Sequence, residues 1–234
     1  MKKTNNNILE QLFKNTEKQN DRVVTKHAIS IHEFYLVGEI ESAEEYVQWF
    51  DTIRHAGQND IVKIYINSGG GDLFTAIQFM RVLSETEATV IISVEGVCAS
   101  AATMIMLAGD NFEVSPHSVF MFHNYSSGVI GKGGEMFDQL QYERVWSEKL
   151  LRETYAEFLT EKEITSILDN KDIWMDGDEV VKRLKKKVEK FQKNLKEEAK
   201  AVEVLAEEAN VQTRTRPAKP AKLKNKKKLT MAYY

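Results

Sequence analysis

The stretch "GVCASAATMIMLAG" (residues 96–109) sets one hydroxyl, Ser100, among alanines and apolar side chains, with no charge until Asp110. Alanine would pack there equally well and would need no hydrogen-bond partner, so this serine is either a polar atom tolerated at a helix start or a reagent. As a reagent, a serine is weak at its own pKa. It needs a base in hydrogen-bond reach and donors for the oxyanion that develops. The chain offers candidates for each role. His123 ends the apolar run "SVFMFH" ahead of a glycine- and serine-rich loop, a placing that suits a general base at a sheet edge. "SGGGD" (68–72) is a turn whose glycines can aim backbone N–H groups into a gap without side-chain obstruction. Asp172, before "IWM", has the chemistry to orient and charge-stabilise an imidazole. Each piece also has a blander reading. Ser100 can be a helix cap, and His123 structural, as four other histidines (His27, His32, His55, His117) show the residue is not rare here. The glycines can be an ordinary turn or a phosphate cradle, and Asp172 a solvated carboxylate or a cap. Cys98, two residues before Ser100, reads as a small buried hydrophobe.

The elements that must position these groups alternate. "AISIHEFYLVGEI" (28–40), "IVKIYINSGGGD" (61–72) and "ATVIISVEG" (88–96) read as strands, being β-branched or aromatic runs that end in turn formers. Between them, 42–56 spaces Tyr46, Trp49, Phe50 and Ile53 at helical intervals after a Ser42 cap, and 73–85 repeats the pattern. Residues 99–109 form a buried helix closed by Gly109, "SVFMFHNYSSG" (118–128) is a short strand entering a loop, and a long amphipathic helix spans 134–159. Strands alternating with helices predict an α/β fold with a mostly parallel sheet covered by helices. Its strand ends and helix starts share one edge, where open α/β folds build sites. Strand 88–94, turning through Gly96, would set Ser100 at the positive end of a helix dipole with the Ala101 N–H free to donate. Ser100, His123 and the glycine turn all fall at strand ends of one sheet, and this raises their joint weight.

The chain of 234 residues is long enough for one ordinary domain with something left over, and 42% hydrophobic residues can bury a real core. A net charge of −3 gives no whole-chain case for nucleic acid. The balance is uneven, since residues 211–230 hold eight Lys or Arg and no acid, leaving about −11 on what precedes them. A single cysteine excludes an internal disulfide and fits a reducing, cytoplasmic setting. "MKKTNNNILEQLFKNTEK" lacks the apolar run of a signal peptide. Thr89–Gly109 is long enough to suggest a membrane span, but Glu95 and the small residues favour strand, turn and buried helix, so no membrane partner is expected. From Asp178 the composition shifts. Val181, Leu184, Val188, Phe191, Leu195, Val202, Leu205 and Ala209 keep a 3-4 rhythm interrupted at Glu198, which fits a coiled coil or an amphipathic helix lying on the body. The tail "TRTRPAKPAKLKNKKKLT" is a solvated disordered end or a contact for an anionic partner, nucleic acid or an acidic protein surface. The segments are 1–21, 22–180, 181–210 and 211–234.

"YINSGGGD", "EGVCASAATMIMLAG", "VFMFHNYSSG" and "NKDIWMDGDEV" follow one another in order, after "RVVTKHAISIHEFYLVGEIES". From about Arg22 to Val180 this resembles the proteolytic subunit of the ATP-dependent Clp protease. The resemblance implies a crotonase-like spiral of ββα units, with Ser100 as nucleophile, His123 as general base and acid, and Asp172 as the orienting carboxylate. It implies oxyanion donors on the Gly71 and Ala101 backbones, and a homo-oligomer of two stacked rings, commonly heptameric, joined through the helix after His123. Peptides of unfolded proteins would enter the chamber by way of an AAA+ unfoldase, and an extended substrate would pair along 126–134, beside Gly70, Ser126, Ser127 and Gly128. No metal or organic cofactor is called for. Three departures stand out. Gly69 replaces the family's usual proline, "DGDEVVKRLKKK" replaces its closing strand, and the N-terminal segment is unlike its axial loops. The rival readings are a specialised processing protease, such as one that matures a viral capsid, an acyl-coenzyme A enzyme on the same fold, and a degenerate ring or scaffold subunit.

Overall fold

The computed structural model describes residues 29–190 and, beyond them, 193, 194 and 197. The polar N-terminal segment, most of the heptad stretch and the basic tail lie outside the described residues. The chain divides into two compact units, Met1–Lys185 and Lys186–Tyr234. The described residues of the second are helical, with Lys193 and Glu197 paired one turn apart at 3.8 Å.

In the first unit, β1 (Ile31–Ile40) is followed by a 3-10 turn (Ala43–Tyr46) and α1 (Val47–His55), then β2 (Ile61–Gly71), α2 (Leu73–Glu85), β3 (Thr89–Ala99) and α3 (Ala101–Leu107). β4 (Asn111–Val114), β5 (Val119–Phe122), α4 (Gly133–Tyr155), α5 (Glu161–Leu168) and β6 (Ile173–Asp176) complete the sheet side, and a last helix, α6, starts at residue 177. The sheet order is β1-β2-β3-β5-β6, with β4 beside the first half of β3. Every pairing is parallel, as the alternation predicts, except that β6 runs antiparallel to β5.

Period-two alternation decides the faces. Phe34, Leu36, Ile64, Ile66 and Ile92 point into the core, while Ile31, Tyr35 and Val37 stay exposed on the opposite face of β1. Over the buried face Phe79 stands edge-on to Tyr46 and Phe50, with ring centroids 5.1 and 4.8 Å apart. Burying each such ring contributes about 2–3 kcal/mol. Val180 and Leu184 of α6 join the same core, Leu184 being one of the residues of the heptad rhythm. Among the described residues no helix is long and apolar enough to cross a membrane.

Several local expectations need correction. Gly96 does not end β3, because the strand continues to Ala99. There three β3 residues, Glu95–Val97, face the single β2 residue Asn67. The Asn67 side chain supplies the missing ladder partner by accepting the Val97 N–H at 3.0 Å, and a Cβ on Gly96 would sit 2.6 Å from that same oxygen. Ser42 occupies the cap position, but its hydroxyl donates to Glu44 rather than capping the turn. Gly109 does follow the helix, yet without a left-handed φ. It is glycine because a Cβ would lie 2.4 Å from Ile92 Cγ1. α4 is shorter than 134–159 and buries only Ser147, Leu151 and Tyr155, all in its C-terminal half.

Candidate active site

The bulge at Glu95–Val97 shifts β3 against β2, so that Ser68 pairs with Cys98, and from there Val97–Ala99 also pair with β5 on the other side. Ser100 comes next, as the turn between β3 and α3. Its backbone sits at φ 56°, ψ −130°, one of two non-glycine residues with positive φ among those described, the other being Asn170. Such a conformation costs about 1–3 kcal/mol and persists only where its surroundings over-determine it. Here they do: the Ser100 N–H donates to Met121 O at 2.8 Å, and its carbonyl accepts from the Thr103 N–H at 3.0 Å and the Thr103 hydroxyl at 2.6 Å. The side chain is thereby left to point away from its own helix.

It meets His123. The residue follows β5 directly, and its Nε2 lies 2.6 Å from Ser100 Oγ, within the range of an O–H···N hydrogen bond between half-buried groups. Gly70 packs from the other side. A Cβ there would be 2.6 Å from Ser100 Cβ and 3.1 Å from the Ala101 nitrogen, at a φ of +101°. Its own N–H donates to Ser68 Oγ at 3.1 Å, so the buried Ser68 shapes the glycine turn. Gly71, at φ +146°, abuts the Ile40 backbone, where a Cβ would fall 2.3 Å from the carbonyl oxygen. Gly69 is open, with nothing within 4 Å of a built Cβ.

Asp172 is exposed, and no hydrogen bond or ion pair joins it to His123 among the described residues. The register still makes them neighbours: Phe122 pairs with Ile173 across the antiparallel β5–β6 ladder, so His123 and Asp172 occupy the next rung.

Gly71, Ser100, Ala101 and His123 open on one cleft of about 720 Å³, together with Ser126, Ser127, Phe74 and Trp146. The last two stack at 5.7 Å and, with Tyr142, give it an aromatic wall that the sequence reading missed, because the pair joins α2 to α4 across 72 positions. Glu143 holds the loop rim, accepting from Ser127 Oγ at 2.9 Å and Gln139 Nε2 at 2.8 Å, and these bonds lower its pKa. Gly128 is exposed further along the same loop. Cys98 is fully buried, and desolvation pushes its thiol well above the ordinary range, which leaves it a packing residue.

Known proteins resemble this chain in both sequence and fold. The sequence is 28% identical over 195 residues to ATP-dependent Clp protease proteolytic subunit 2 of Treponema denticola, covering 78% of this chain and 96% of that one. It is 26% identical over 131 residues to proteolytic subunit 1 of Salinibacter ruber, covering 54% of this chain and 55% of that protein. An asparagine-to-aspartate mutant of ClpP1 from Listeria monocytogenes superposes with a TM-score of 0.55 at 22% identity, over 65% of this chain and 86% of that one, which gives the crotonase-like fold. The Clp protease family profile matches residues 15–183, most of the chain and all of the site just described, and the chain therefore belongs to the Clp protease family.

Proposed function

We propose that the chain is a serine endopeptidase, the proteolytic subunit of an ATP-dependent Clp-type protease, with Ser100 as nucleophile, His123 as general base and acid, and Asp172 as the carboxylate that orients the imidazole. The observation that carries the reading is the 2.6 Å approach of His123 Nε2 to Ser100 Oγ on a positive-φ turn. For Ser100 to donate, Nε2 must be bare, so the neutral ring carries its proton on Nδ1 and needs an acceptor there. The register that sets Asp172 one rung across from His123 supports Asp172 as that acceptor.

Ser100 Oγ attacks the scissile carbonyl as Nε2 takes its proton. The tetrahedral oxyanion then accepts from the backbone N–H groups of Gly71 and Ala101, which line the same cleft. His123 returns the proton to the leaving amine, and water repeats the cycle on the acyl-enzyme. An extended peptide lies along 126–134, past Gly70, Ser126, Ser127 and Gly128. The working form is a homo-oligomer of two stacked rings in the cytoplasm, fed by an AAA+ unfoldase, and the basic tail is left for an anionic partner.

The test is labelling with a fluorophosphonate, followed by mapping of the modified peptide. Modification at Ser100 is expected, lost in Ser100→Ala and in His123→Ala, with hydrolysis of a fluorogenic peptide lost in parallel. Undiminished peptide turnover by folded Ser100→Ala would reject the assignment.

A further inference from the structure

Tyr155 and Thr103 are buried hydroxyl residues behind the site, 1% and 0% exposed. Tyr155, the last residue of α4, presents its ring edge-on to Phe122 at 5.6 Å, and Phe122 immediately precedes His123. Its hydroxyl lies 2.7 Å from Thr103 Oγ1, which is 2.6 Å from the Ser100 carbonyl oxygen. Proton counting fixes the direction of this chain. A carbonyl only accepts, so Thr103 must donate its single hydroxyl hydrogen to Ser100, and the Tyr155 O–H must then donate to Thr103. With the Ser100 N–H bound to Met121 O, both polar backbone groups of the strained residue are tied down.

We propose that Thr103 and Tyr155 are positioning residues for the nucleophile: the hydroxyl chain Tyr155→Thr103→Ser100 holds the positive-φ turn, while the Tyr155 ring holds the strand end that carries His123. One side chain thus sets the serine–histidine approach from both ends. This rests on the reading of Ser100 as nucleophile and adds residues that touch neither substrate nor reacting atoms. If the two served only to satisfy buried polar groups, their loss would lower the melting temperature and leave turnover per folded molecule unchanged.

The test uses the full-length protein and the variants Thr103→Val, Thr103→Ser and Tyr155→Phe. Three quantities are read for each: the rate of fluorophosphonate labelling at Ser100, the kcat and KM for a fluorogenic peptide, and the melting temperature. Thr103→Val keeps the shape and removes the donor, so kcat and labelling rate are expected to fall roughly 10–100-fold with KM within about twofold. Thr103→Ser restores the hydroxyl and is expected within about threefold of wild type, and Tyr155→Phe, which keeps the ring, is expected to lose about threefold. Wild-type kcat in Thr103→Val with only the melting temperature lowered would overturn the inference, as would Thr103→Ser as impaired as Thr103→Val. Should Thr103→Val not fold, an unchanged labelling rate in Tyr155→Phe overturns it and the threefold loss upholds it. Absence of Ser100 labelling in the wild type refutes the peptidase reading itself and carries this inference down with it.

Discussion

The three consecutive glycines at 69–71 should respond very differently to alanine. At Gly70 a Cβ would sit 2.6 Å from Ser100 Cβ and 2.8 Å from Ala99 O, whereas carbon contacts settle near 3.5–4.0 Å. About an ångström of relief must come from the β2 or β3 strand end, since neither neighbour is the far end of a flexible side chain. Such overpacking costs about 1–3 kcal/mol. The backbone adds its own cost, because φ is +101° and an L-residue forced there loses roughly 1–2 kcal/mol. Gly70→Ala should therefore destabilise by about 3 kcal/mol, a fall in melting temperature of about 6–12 °C for a chain of this size.

Gly71→Ala should cost at least as much, since its Cβ would fall 2.3 and 2.6 Å from the Ile40 carbonyl oxygen and nitrogen, both rigid backbone. Gly69→Ala meets nothing within 4 Å and has no positive φ, so it should stabilise by about 0.4–1 kcal/mol through the unfolded chain. Thermal melts and urea midpoints rank the three. Labelling of the protein that remains folded separates Gly70, which presses on Ser100, from Gly71, which presses on β1. A Gly70→Ala protein that melts within about 2 °C of wild type, or a Gly69→Ala protein that is the least stable of the set, would refute the packing account of this turn.

Asp172→Asn should lower kcat at pH 7 at least roughly a hundredfold with little change in KM, because the amide leaves the imidazole in the wrong tautomer; an unchanged kcat removes Asp172 from the mechanism. Glu163 accepts a bidentate pair from Arg183 at 2.8 and 2.9 Å, and that guanidinium, together with bonds from Thr160, lowers its pKa to about 2. A depressed carboxylate stabilises fully above its unfolded pKa of about 4.5 and loses that effect as pH falls toward 2, so Glu163→Gln should remove on the order of 2 kcal/mol at pH 7 and flatten the acid limb of the stability curve between those values. Cys98, fully buried with its thiol held protonated, should react with a thiol-specific disulfide reagent only after unfolding, and rapid modification of the native protein would contradict its role as packing.

Serine and histidine were legible because both sit where a strand ends, and strand ends follow from local composition. α2 was read at its observed limits, Leu73–Glu85, since its apolar spacing is regular and Asp72 caps it by accepting the Thr75 N–H at 2.7 Å. β4 escaped because "NFEV", although it alternates polar and apolar residues, is only four residues long and no more than half-buried. The bulge at Glu95–Val97 depends on a side chain from another strand, Asn67, and no local pattern announces such a bond. The Tyr155–Thr103 tie spans 52 positions and is likewise silent in the sequence. Asp172 was singled out from its place before "IWM" and then by the resemblance, while its position one rung from His123 follows only from the reversed direction of β6, which an alternating strand–helix reading does not foresee.

β5 is only four residues long, yet it positions three parts of the site. On one side Val119–Met121 pair with Val97–Ala99, and Met121 O takes the Ser100 N–H, fixing where the Ser100 backbone turns. At its end it delivers His123. On its other side it pairs with β6 and brings Asp172 to the following rung. Backbone register thus brings serine and histidine to one place, where the Tyr155–Thr103 tie holds them, while the loop after His123, tied by Ser127 to Glu143, shapes the cleft. Substitutions in 126–131 should accordingly move KM before kcat, whereas a change that slips β5 against β3 by one residue turns every β5 side chain to the opposite face and removes His123 from Ser100 altogether.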